Sequence, residues 1–146
     1  MQYSFRFFVS WIAAAVLMYA AFYIWHGVFL TDLNRIKFSR ALFMILAAIV
    51  YLLISFAVYR TFETRLLTTI FPTPLLRGAA SGILVGMSLF AMITVLGISF
   101  TSQVTLKYLV VDCVWQMAEQ LIGGFIIGIG KAVLYETKPE DVRHVQ

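Results

Sequence analysis

The residues of this chain that could do chemistry are few, and most are polar side chains set inside long apolar runs. Asp112, Gln116 and Glu119 recur at i, i+4 and i+7, the spacing of one helical face, and Gly123 continues the stripe with Gln120 beside it. Tyr19, Tyr23 and His26 repeat the same spacing far upstream. In hydrocarbon an ionisable side chain costs about 2.5–3.5 kcal/mol even on insertion scales, so each must find a partner. Glu119 lies deepest in its run and has two readings: a carboxyl hydrogen-bonded for structure, or one that carries a proton or a ligand. Asp112 also suits a helix N-terminus, where the dipole favours a carboxylate. His26, next to Trp25 and near Tyr23, also suits an aromatic belt at a membrane surface.

Other reactive constellations are missing. There is no GxSxG, no HExxH and no glycine-rich phosphate loop. Cys113 is the single cysteine, without a partner for an internal disulfide or a zinc spacing. The two histidines, His26 and His144, offer no second haem ligand at matching depth. The expectation is therefore a protein that is not an enzyme and that holds no metal or cofactor.

Of the 146 residues, 62% are hydrophobic and 12% charged, against about 45–50% and about 25% in soluble domains. A soluble globular domain, a disordered chain and a disulfide scaffold are all excluded. The charges divide one domain, residues 1–146, into four uncharged or nearly uncharged runs at about 7–30, 41–59, 78–100 and 108–130, followed by a polar tail at 136–146. At 1.5 Å per residue each run is long enough, or nearly so, to cross a hydrocarbon core about 30 Å thick. The fold class expected is all-α, an integral membrane four-helix up-down bundle. Pro72 and Pro74 are expected in a non-helical link, with Leu66 to Phe71 before them lying at the interface or extending the second helix. The net charge of +4 comes from residues flanking the runs, which read as headgroup anchors and not as a nucleic-acid stripe. Seven basic residues fall on the side of the termini and four on the other, so the positive-inside rule places both termini in the cytoplasm.

Lipid removes the hydrophobic drive between spans, so small residues mark where helices meet. Gly78, Gly82 and Gly86 repeat every four residues on the third run, and Gly124 and Gly128 repeat the spacing on the fourth. The pattern predicts a tight antiparallel pair, with homodimerisation through one glycine face as the alternative. Counting depth from the run ends sets His26 opposite Asp112, Tyr23 opposite Gln116 and Tyr19 opposite Glu119 if the first and fourth runs are antiparallel neighbours.

The segment YIWHGVFLTD closing the first run, RGAASGILVG opening the third, and VVDCVWQMAEQLIGGFIIG within the fourth resemble the pattern of small uncharacterised bacterial four-helix (tetraspan) membrane protein families. Gly27, Asp112 and Trp115 are the matching positions. The resemblance implies a tetraspan fold in a bacterial inner membrane. Two function classes follow from the whole reading. The first is a non-enzymatic bundle that binds a lipid-like ligand or serves as a subunit of a larger membrane complex or homo-oligomer, with the lipid bilayer as constant partner. The second is a small oligomeric transporter coupled to protons or cations through Glu119.

Overall fold

The computed structural model of the protein describes residues 5–31, 33, 39–98 and 106–135. Among the described residues there is no strand, and five α-helices carry the chain: α1 (Phe5–Phe22), α2 (Arg40–Phe62), α3 (Arg65–Ile70), α4 (Pro74–Ile98) and α5 (Leu106–Tyr135). A π-helical segment, Tyr23–Phe29, continues α1. Four stretches are long and apolar enough to cross a membrane, Phe7–Phe29, Arg40–Phe62, Pro74–Val95 and Leu109–Val133, close to the four expected runs. The loop holding Arg35 and Lys37, the turn at 101–105 and the tail at 136–146 lie outside the described residues.

Local chemistry sets the helix ends. Ser39 precedes α2 and its hydroxyl accepts from the Leu42 N–H at 3.4 Å, a loose N-cap. After Phe62 the chain turns through Glu63 and the extended Thr64, so the following segment is a separate short helix and not an extension of α2. It stops at Phe71, because the residue before a proline is pushed out of the helical region. Pro74 was expected in the link but is the first residue of α4, the one helical position where a fixed φ and a missing N–H cost nothing. The third span therefore begins four residues earlier than the charge pattern suggested.

Two basic residues expected as headgroup anchors hold this link in place. Arg77 donates from Nε to the Phe71 carbonyl at 3.1 Å and from Nη2 to the Pro72 carbonyl at 3.0 Å, while its guanidinium lies 5.1 Å from the centre of the Phe62 ring. Lys131 on α5 reaches Glu63 at 2.5 Å.

α1 packs antiparallel to both α2 and α5, while α2 and α5 run parallel, with Tyr51 by Glu119 and Glu63 by Lys131. On the α1–α2 face, Phe7 meets Tyr59 edge-on with ring centres 4.6 Å apart, Trp11 Nε1 donates to the Leu52 carbonyl at 2.9 Å, and the Tyr19 hydroxyl donates to the Met44 carbonyl at 3.3 Å. On the α1–α5 face, Ser10 lies against Gly130, Met18 against Gly123 and Trp25 against Trp115. Ala14, Met18, Tyr51, Val58, Phe62 and Ile127 form the buried cluster between α1, α2 and α5. Outward faces are apolar: Leu53, Met92, Val110 and Val133 are all exposed, the reverse of a soluble domain's surface.

The closest approach is between α4 and α5. A Cβ built on Gly78 would run into the carbonyl oxygen of Gly124, and one on Gly124 into the carbonyl of Gly78. Along the same seam the backbone of Gln120 abuts Gly82, Gln116 O stands 2.8 Å from the Cβ position of Gly86, and Pro74 O 2.7 Å from that of Gly128. The glycine faces thus meet each other within one chain, as the tight-pair reading expects, and are not left for a second copy. Gly124→Ala presses a methyl onto backbone that cannot repack, so it should cost about 1–3 kcal/mol. Gly123→Ala meets only the flexible end of Met18, and its loss should be smaller. Thermal unfolding of the two variants in mild detergent checks this, and equal melting temperatures would show that α4 and α5 are not in backbone contact.

Candidate functional site

One turn of α5 carries the polar interior. Glu119 is 1% exposed and Gln120 is wholly buried, and Trp115 lies one turn before Glu119 on the same face. Among the described residues, neither carboxyl oxygen of Glu119, neither end of the Gln120 amide, nor the Trp115 indole N–H has a protein hydrogen-bond partner. Tyr51 from α2 and Trp115 are the side chains that interact with the Glu119 carboxyl, but they stand outside direct hydrogen-bonding geometry. The two buried serines nearby are already engaged. Ser55 donates to the Leu52 carbonyl at 3.0 Å and Ser81 to the Gly78 carbonyl at 2.8 Å, each within its own helix.

A buried polar group left unmade costs about 1–3 kcal/mol, and native proteins keep such groups few. Here five such atoms fall on three residues within two turns of one helix. Their chemistry is mixed: the Glu119 carboxyl accepts, the Trp115 indole donates, and the Gln120 amide does both. The Tyr51 hydroxyl adds a further donor and acceptor at the edge. Such a set suits a small polar guest with hydrogens to donate, or a cation. Among the described residues no group of three or more His, Cys, Asp or Glu side chains has the arrangement of a metal site.

The remaining residues of the expected seam do not join this cluster. The expected pairing of Tyr19 with Glu119 is replaced by the bond from Tyr19 to Met44, with the Tyr19 ring 6.0 Å from Tyr51. Tyr23 is 48% exposed. His26 packs its ring 5.0 Å from Phe22, Asp112 is exposed on the outer side of α5, and no ion pair joins the two. Gln116 is half-buried against Gly86. The helices are antiparallel neighbours, as the depth count required, but they meet about two residues out of the expected register and on a different face of α1. What fills the place opposite α5 is Trp25, its ring stacked on Trp115 with centres 4.2 Å apart and planes 12° from parallel.

Trp115 and Tyr51 are the site residues that the spacing argument passed over. The signal for Trp115 was its position one turn before Glu119. Tyr51 gave a weaker one, a phenol at the middle of an otherwise largely apolar run. The chain matches no protein family, no curated protein and no solved structure.

Substituting the carboxyl tests whether it holds the fold together. Glu119→Leu removes two unpartnered oxygens and keeps an apolar side chain of similar bulk, so it should stabilise the protein by about 1–3 kcal/mol. A raised melting temperature in detergent is the expected result, and a lowered one would show that the carboxyl is structural glue.

Proposed function

We propose that the chain is a non-enzymatic integral membrane protein, an up-down bundle of four spans with both termini cytoplasmic, whose Glu119 site takes the polar group of a small or lipid-like ligand. The observation that carries this reading is the set of five buried polar atoms without partners at Trp115, Glu119 and Gln120. Hydrocarbon supplies no hydrogen bonds, so groups left open in the interior await an occupant that does. A role as glue to another subunit fits less well. Glu119 and Gln120 are enclosed by the chain's own helices, and an outside helix has no way to reach them.

A second reading is favoured by one feature. Glu119 is the one buried carboxyl among the described residues, the other buried polar side chains being Ser10, Ser55, Ser81 and Gln120. A group that can gain and lose a proton in a span is what a proton- or cation-coupled carrier needs.

Native mass spectrometry of the protein in gentle detergent decides on the ligand. Wild type should carry a copurifying small molecule that Glu119→Gln, a variant of the same shape, has lost. A wild type free of adduct in every detergent and lipid tried would remove the ligand reading. In proteoliposomes, a pH gradient that drives flux through wild type but not through Glu119→Gln would favour the carrier instead.

A further inference from the structure

Different side chains flank the Glu119 turn on its two sides among the described residues. Toward the Phe5 end of α1 lies a plug of Ala14, Met18, Val58, Phe62 and Ile127, none more than 1% exposed. On the other side, toward the end that bears His26 and Asp112, stands the Trp25–Trp115 stack, with Trp115 one turn from the Glu119 carboxyl and interacting with it.

The backbone beneath this stack is irregular. Trp25 lies in the π-helical segment, where its carbonyl accepts from the Leu30 N–H, five residues on, at 2.9 Å. π-helical turns are uncommon and recur at functional positions. The segment contains Gly27, and just beyond it Thr31 has φ 54°, a left-handed conformation that a β-branched residue rarely adopts. Return of this segment to i to i+4 bonding would turn the residues beyond Tyr23 about the helix axis and carry the Trp25 ring off Trp115. In contrast, the plug residues sit on regular helices whose backbone bonds are all of the ordinary kind.

We infer that the Trp25–Trp115 stack is the gate to Glu119, that the π-helical segment Tyr23–Phe29 is its hinge, and that the occupant enters from the end of the bundle bearing His26 and Asp112. This rests on the ligand-site reading above. The gate opens when the indoles part, and it closes with the Trp115 N–H again held beside the carboxyl.

The test uses the full-length protein in proteoliposomes, treated with a water-soluble carbodiimide and glycinamide, with labelling at each carboxyl read by peptide mass spectrometry. Asp112, exposed at the same end, serves as the internal reference. Losing an aromatic stack shifts the open population by roughly two- to ten-fold, and Trp25→Ala should raise the Glu119-to-Asp112 labelling ratio by that factor. Trp25→Phe, which keeps a ring and guards against misfolding, should raise it less. Trp11→Ala, at the opposite end, should leave it unchanged. An unchanged ratio in both Trp25 variants overturns the gate, as does a rise in Phe62→Ala without one in Trp25→Ala. Glu119→Gln removes the labelled product in all cases, and copurification scores the ligand separately, so either proposal can fail while the other stands.

Discussion

Everything in this molecule depends on the backbone contact between α4 and α5. In an apolar solvent, burying leucine against leucine gains nothing over leucine against lipid, so helices associate through packing and polar contacts. The glycines at 78, 82, 86, 124 and 128 let two backbones approach as far as carbonyl oxygens permit. That approach fixes the rotation of α5 about its axis, and the rotation decides which of its side chains face inward. With Gly124 on the α4 seam and Gly123 under Met18, residues 115, 119 and 120 can only turn into the space between α1, α2 and α4. The unpartnered polar turn is a consequence of where the glycines lie.

The chain then shows two different ways of treating polar groups. Serines and threonines bond to carbonyls one turn back, as at Ser55, Thr64, Thr68 and Ser88, and so vanish from the energetics of packing. Trp11 and Tyr19 cross between helices and tie α1 to α2. Among the described residues, the turn around Glu119 is where fully enclosed side-chain polar atoms gather without a partner. A compact set of this kind is a local exception to the rule, and such exceptions collect at functional positions.

Much of the architecture was legible because it depends on charge and length. The four spans appear where the uncharged runs do, and the glycine spacing correctly paired the third with the fourth. Pro74 was misplaced because proline breaks a helix interior yet begins a helix readily, and the sequence between Arg60 and Arg77 carries both possibilities. The seam between the first and fourth spans was half legible. Depth counting found the right neighbours, but the stripe Tyr19, Tyr23, His26 assumed a constant helical period. Within regular α1 it is Ser10 and Met18 that face α5 while Tyr19 turns to α2, and from Tyr23 the π-helical segment departs from that period and sets Trp25 on Trp115. Nothing in the residue types announces such a turn. The usual check, apolar inside and polar outside, is also lost, because outward-facing and core-facing positions of the four long helices are both apolar.

The most direct measurement is an experimental density map of the protein in a lipid nanodisc, at a resolution that shows ordered water and small ligands around α5. Non-protein density is expected within hydrogen-bonding distance of Glu119 and at least one of Trp115 and Gln120. A dry interior, with the Glu119 carboxyl bonded directly to Tyr51 and Trp115 and the Gln120 amide paired to protein, would contradict it.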